Sequence, residues 1–378
     1  MKLKNIIGWI LLLTAAVALG CDANDYTSLA GHYGDDLQAA LQNTLDAYHG
    51  PGAVLAVSFN DGSSWIGTAG VAQLPDEAMS AADHFRMGSV TKTFTGEAVL
   101  LLAQSGALTL EDTLDVWLGR LVPDGEGITV RNLLDHTSGL FDFTWSEEDY
   151  VDRILENPTG VWLTEELIAI ANENGPIAAP GEAAVYSNTN YVLLGLIIEA
   201  VSGQKAEAFI ADNILTPLAL DETTFPTTAA MPAPYTHGYL DVNGDGLFTA
   251  DEDFTAQHPS AIWTAGAMIS TPADLLVWLA ELNDSTLLDE QTQAERLNFA
   301  RQVDGFPAGY FGLGIVKLDG GVGHTGALMG YQTVILRYRD ADFVVYSNGY
   351  LTSEGVNITN KIYAAAVEVV YPGSNVEI

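Results

Sequence analysis

Residues 87–96 read MGSVTKTFTG, and Lys92 is the residue in them that needs a reason. The chain carries 14 Lys+Arg against 49 Asp+Glu, and its lysines are Lys2, Lys4, Lys92, Lys205, Lys317 and Lys361. Lys92 stands in an uncharged run, three residues after Ser89. From Ser89 the apolar positions Phe94, Ala98, Leu101 and Leu102 follow helical spacing, so a loop becomes a helix here. Ser89 then lies beside the unpaired N–H groups and positive end of that helix. Lys92 sits one turn on, on the same face. A neutral amine beside a serine hydroxyl can accept its proton, which requires a lysine pKa depressed by desolvation or by a second cation. A surface lysine produces the same spacing by chance often enough that the pattern needs companions.

Two companions follow. The stretch PGEAAVYSNTNYVLLG, residues 180–195, holds Tyr186-Ser187-Asn188 just before a helical pattern. A tyrosine near a lysine can be held partly ionised and pass a proton to a leaving group, and a carboxamide can hold a substrate amide. Alone, the same residues read as a core tyrosine followed by a helix cap. The stretch GVGHTGALMG, residues 321–330, places His324-Thr325-Gly326 on a glycine-flanked strand. Gly326 lets a substrate backbone lie against the strand edge, and Thr325 can hydrogen-bond a substrate carboxylate. Alone, His-Thr-Gly reads as a turn.

Together, and in this order, the three elements resemble those of the serine β-lactamase and penicillin-binding-protein superfamily. The Tyr-x-Asn form resembles the class C β-lactamase and DD-carboxypeptidase branch, which also holds D-aminopeptidases and esterases. LLDHTSGL (residues 133–140), Pro180-Gly181 and STPADL (residues 270–275) agree with it. The resemblance covers residues 37–370. It implies that Ser89 is the nucleophile, Lys92 its activating partner and Tyr186 the general acid/base. Asn188, His324, Thr325 and Gly326 would line the substrate, and the backbone N–H groups of Ser89 and Ala327 would form the oxyanion hole. Class C β-lactamases generally carry lysine where His324 stands. A histidine is largely neutral at pH 7 unless its pKa is raised, so fast cephalosporin hydrolysis is not expected. His136, within LLDHTSGL, is expected to make structural hydrogen bonds.

Composition bounds the rest. Net charge −35 and a pI of about 4.1 exclude nucleic acid as a partner and disfavour docking on anionic lipid. Lys2 and Lys4 precede an apolar run from Ile6 to Leu19, too short to span a bilayer comfortably, and Ala18-Leu19-Gly20-Cys21 closes it. Residues 1–21 therefore read as a lipoprotein signal peptide with Cys21 as the acylated residue, ordinary signal cleavage being the alternative. The expected location is exported, in the cell envelope, with the membrane reached through the lipid anchor only. Cys21 is the only cysteine, so there is no intramolecular disulfide and no thiol catalysis elsewhere.

Residues 22–34 read as a tether. A helix is expected over 35–48, strands over 53–59 and 64–69 about an Asn60-Asp61-Gly62 turn, and helices over 164–174, 190–201, 206–213, 272–283 and 290–301. Strands over 312–317, 332–338 and 343–347 precede a last helix over 358–370. This is an α+β pattern: an antiparallel sheet built from both chain ends and flanked by helices, with an inserted, mostly helical domain. Residues 35–98 and 265–378 are expected to form the sheet domain and 99–264 the helical one.

One further motif lies at residues 241–252, DVNGDGLFTADE. Asp241, Asn243, Asp245, the Leu247 carbonyl and Glu252 take the ligand positions of a calcium loop, with Gly246 at the sharp turn. A structural Ca2+ is expected there, and no cofactor for catalysis. The expected function is a serine hydrolase acting through a Ser89 acyl-enzyme on D-amino-acid peptides, DD-carboxypeptidase-like and penicillin-reactive. A carboxylesterase or β-lactamase with the same residues, and a penicillin-binding sensor that does not deacylate, remain open. The acyl donor is a small molecule or peptide: a peptidoglycan stem peptide, a β-lactam or an ester.

Overall fold

The computed structural model describes residues 28–302, 309–350 and 357–378. The expected signal peptide, Cys21 and residues 22–27 lie outside the described residues. The first helix, α1 (Leu29–Ala47), begins six residues earlier than its apolar spacing predicts, so residues 29–34 are helix and not tether. Ser28 caps it by accepting the Gly31 N–H (3.1 Å), and Asp61 accepts the Leu29 N–H (2.8 Å). The cap and a contact from a distant turn thus extend the helix beyond its own pattern.

β1 (Gly52–Ser58) and β2 (Ser64–Gln73) form the expected hairpin, and β3 (Glu77–Ala78) continues it. The C-terminal half supplies β4 (Arg301–Gln302), β5 (Gly309–Phe311), β6 (Val316–Leu318), β7 (Gly321–Leu328), β8 (Tyr331–Tyr338) and β9 (Ala341–Ser347). Among the described residues these make one nine-stranded sheet in the order β3-β2-β1-β9-β8-β7-β6-β5-β4. Each named pair runs antiparallel. The two chain ends meet at its centre, where Ala53 faces Ser347 and Ser58 faces Asp342.

The period of two decides what covers each face. Ala53, Leu55 and Val57 pack with Leu37, Leu41 and Leu45 of α1 and with Ile358, Ile362 and Val367 of α7 (Ile358–Val370). Val54 and Ala56 join the other core, with Trp278 and Leu279 of α5 (Pro272–Asp284). Full burial of each such side chain contributes about 1.5–3 kcal/mol. The middle of the chain supplies α2 (Thr91–Gln104), α3 (Thr164–Asn174) and α4 (Asn188–Ser202). α2 is uninterrupted through residue 98, where the expected domain boundary falls. Trp278 stacks on Phe94 (3.9 Å between ring centres) and donates to the Thr93 hydroxyl (2.7 Å), which fixes α2 on the sheet layer.

Two expected elements are shorter than their patterns predict. The helix expected over 290–301 stops at Arg296, giving α6 (Glu290–Arg296), and Arg301 pairs with Phe311 at the sheet edge instead. The buried Arg296 also pairs with Glu97 of α2. The strand expected over 312–317 begins only at Val316, because residues 312–315 form a turn in which the Gly312 N–H donates to the Ile315 carbonyl (2.9 Å).

Candidate active site

The 3-10 turn Gly88–Val90 leads directly into α2 and puts Ser89, half-buried, above Lys92, which has no exposed surface. Lys92 Nζ lies 3.1 Å from Ser89 Oγ and donates to Asn188 Oδ1 (2.7 Å) and to the Ala265 carbonyl (2.6 Å). Burial brings the Lys92 pKa down to about 7, with Asp142 opposing the shift. As a neutral amine, Nζ keeps its two N–H bonds to Asn188 and Ala265. Its lone pair then faces the Ser89 hydroxyl, the arrangement that proton abstraction needs.

Tyr186 donates its hydroxyl to the same Oγ (2.6 Å), and its ring lies 4.8 Å from Lys92 Nζ. Burial raises the Tyr186 pKa above the ordinary tyrosine value. The expectation of a partly ionised tyrosine is therefore corrected: desolvation outweighs the nearby amine, Tyr186 keeps its proton at neutral pH, and Lys92 is the group able to change state there.

β7 runs alongside Ser89. A Cβ on Gly326 would stand 2.1 Å from the Met87 carbonyl oxygen, and one on Gly88 (φ +55°) would stand 2.8 Å from the Ala327 nitrogen. These two glycines let the backbones touch, which sets the Ser89 and Ala327 backbones side by side. Gly326→Ala is expected to push β7 away and to lower kcat by about 10²–10³-fold, the scale of losing an oxyanion donor. Steady-state kinetics checks it, with a melting curve to confirm the fold.

His324 on β7 is buried, its Nδ1 bonded to the Thr325 carbonyl. Burial, with Lys92 nearby, lowers its pKa to about 4, so the ring is neutral at pH 7. Thr325 is half-buried, and Ala327 is exposed at the cleft. A cavity of about 340 Å³ opens beside Ser89, Asn188 and Ala327, lined further by Tyr150, Ile154, Ile262, Leu328 and Met329. The guanidinium of Arg86 also reaches this lining, but it is bonded to the carbonyls of Thr255 (3.2 Å) and Ala229 (2.9 Å).

His136 makes the structural contacts expected of it. Its Nδ1 accepts the Ser187 N–H (3.1 Å), and its ring stacks 4.5 Å from that of Tyr186. Sequence reading missed Asp142, which is buried and accepts from both the backbone and the side chain of Asn188. One carboxylate among 49 acids offers no signal of its own.

The expected calcium loop closes through its own backbone. Asp241 accepts the N–H groups of Asp245 (3.1 Å) and Gly246 (3.2 Å), Asn243 accepts that of Asp245 (2.8 Å), and Asp245 accepts that of Leu247 (2.9 Å). Glu252 accepts from the Thr249 N–H (3.0 Å) in a capping box. Among the described residues, no three His, Cys, Asp or Glu side chains gather in a way that could hold a metal ion. The side chains at the ligand positions thus accept turn N–H groups of the loop, and no step below runs through a cation.

The family described as Beta-lactamase matches residues 37–366. The chain belongs to the Beta-lactamase family. It is 27% identical over 329 residues to penicillin-binding protein 4* of Bacillus subtilis (strain 168), covering 80% of this chain and 69% of that one. It spans about two thirds of the length of the curated relatives it matches. A D-stereospecific amidohydrolase from Streptomyces sp. superposes with a TM-score of 0.78 at 30% identity, covering 90% of this chain and 98% of that one. A D-amino acid amidase from Ochrobactrum anthropi SV3, solved with L-phenylalanine amide, superposes with a TM-score of 0.79 at 25% identity over 90% and 98%. The fold is thus the β-lactamase-like one the three motifs imply, and the Beta-lactamase family is one of serine hydrolases that need no cofactor for catalysis.

Proposed function

We propose that the protein is a serine amidohydrolase that cleaves amide or peptide bonds of D-amino-acid substrates through an acyl-enzyme on Ser89. The observation that carries the reading is the meeting of Lys92 Nζ and the Tyr186 hydroxyl on Ser89 Oγ. The substrate carbonyl enters between the N–H groups of Ser89 and Ala327. Ser89 gives its proton to neutral Lys92 and attacks, and charge develops on the carbonyl oxygen facing those donors. Tyr186 then hands its proton to the leaving nitrogen while Lys92 restores it, the C–N bond breaks, and the acyl group stays on Oγ. Water entering by the reverse proton path releases the acid. Asn188, His324, Thr325 and Gly326 position the substrate.

Two observations bear on the leaving group. His324 is neutral and supplies no positive charge on β7, and an uncharged amide beside the scissile bond suits that side of the cleft better than a free carboxylate. The apolar cavity at Ser89 fits a large apolar side chain on the acyl half. The D configuration is supported by the likeness to the D-stereospecific amidohydrolase. The pattern in residues 1–21 supports placing this activity at the cell envelope, lipid-anchored through Cys21.

The test is turnover of an aromatic D-amino-acid amide, its L enantiomer and a peptide ending in D-alanyl-D-alanine. The D amide is expected to exceed the L amide in kcat/KM by about tenfold or more. Equal rates for the enantiomers would refute D specificity, and preference for the peptide acid would return the reading to a DD-carboxypeptidase.

A further inference from the structure

Asp142 is 1% exposed, and its carboxylate accepts four hydrogen bonds. Oδ1 takes the Thr144 N–H (3.0 Å) and hydroxyl (2.8 Å), and Oδ2 takes the Asn188 N–H (3.1 Å) and Nδ2 (2.9 Å). Both oxygens accept, which is the pattern of an ionised carboxylate and not of a protonated one. A carboxamide has one donor end and one acceptor end. With the Asn188 donor end held by an anion, its Oδ1 must face Lys92, and Nζ donates to it at 2.7 Å. The flipped amide would set its oxygen against the carboxylate and its NH2 against Nζ.

We propose that Asp142 is a positioning residue for Ser89 acylation: it orients the Asn188 carboxamide, and through it the Lys92 amine, toward the serine hydroxyl. The proposal rests on the Ser89–Lys92 chemistry above but not on the substrate class. A second consequence is electrostatic. The groups facing Lys92 are Ser89 on the preceding turn, the rings of Tyr186 and Tyr191 at 4.8 and 5.5 Å, His136, His324 on β7, and Asp142. Burial lowers both histidines and raises both tyrosines, so all four rings stay neutral around pH 7. Burial raises the Asp142 carboxyl as well, but its bonds from Thr144 and Asn188 and the nearby Lys92 oppose that, and with both oxygens accepting it is left as the anion that favours the Lys92 ammonium.

The experiment follows Ser89 labelling by a fluorophosphonate, read by intact mass across a pH range spanning neutrality, for the full chain and for Asp142→Asn. The asparagine must set its NH2 against two donors and carries no charge. The labelling rate constant is expected to fall by about 10- to 100-fold, the scale of a lost charged hydrogen-bond partner. The acid limb of the profile is expected to move to lower pH, because the ammonium loses its anion. An unfolded fraction lowers the labelled amplitude and not the rate constant. Asp142→Glu keeps the charge and displaces it, so its limb should stay near that of the unmodified chain while its rate falls. A fall in rate with an unmoved limb in Asp142→Asn makes Asp142 merely structural and overturns the proposal, as does an unchanged rate. If the fold is lost in Asp142→Asn, a shifted limb or an undiminished rate in Asp142→Glu overturns it. Failure of the unmodified chain to label at Ser89 instead overturns the acyl-transfer reading beneath it.

Discussion

Ser89→Ala is expected to end covalent capture of a penicillin and to lower amide turnover by about 10⁴-fold or more, the scale of removing the nucleophile from a serine hydrolase. Oγ is the atom on which Lys92 and Tyr186 both converge, at 3.1 and 2.6 Å. Ser89 is only half-buried and its side chain packs no core, so the alanine variant should fold normally. Intact mass followed over time after mixing with a penicillin reads the outcome. In the unmodified chain a persistent adduct of one penicillin means slow deacylation, as in a DD-peptidase or a sensor. An adduct that disappears as hydrolysed penicillin accumulates means a β-lactamase. An adduct that survives in Ser89→Ala would remove Ser89 from the mechanism.

Lys92→Met is expected to lower kcat/KM by about 10²–10⁴-fold, the range for a lost general base. Methionine keeps the length and apolar stem but has no lone pair to take the serine proton. The pH profile makes the assignment specific. Below its pKa of about 7 the Lys92 ammonium cannot accept a proton, so kcat/KM of the unmodified chain should rise as pH increases through about 7. In Lys92→Met that limb should vanish. Stability is the poorer readout because two effects oppose. The pKa of Lys92 is lower in the folded chain than in the unfolded one, so burying the cation destabilises the fold fully below pH about 7 and less as pH rises toward the ordinary lysine range. Methionine removes that cost but leaves the Asn188 and Ala265 carbonyls without their donor. A variant that keeps both the rate and the limb would show that another group is the base.

Much of the site could be read along the chain because its parts are local patterns. A serine and lysine three apart at a helix start share a face wherever that helix sits. The His-Thr-Gly stretch reads as a turn alone and as part of the site only beside the other two elements, and the apolar run Ala53–Val57 reads as a strand. The readings that failed were those in which hydrogen bonds that apolar spacing does not show set the limits of an element. Ser28 and Asp61 extend α1 past its apolar spacing, and the turn over 312–315 shortens a strand whose composition reads as continuous.

The amino-acid sequence by itself determined the α+β fold class, through its periodicity, and it named, through the resemblance its three motifs carry, the side chains that the fold brings together around Ser89. Tertiary structure decided their chemical states. Burial brings the Lys92 pKa down to about 7, His324 is neutral because it is buried near that amine, and Tyr186 keeps its proton for the same reason of desolvation. Asp142 acquires a role only because the fold brings it to Asn188, 46 residues away, just as it brings Asn188 to Lys92 across 96. A side chain's charge depends on what surrounds it in space, and distance along the chain does not encode those surroundings.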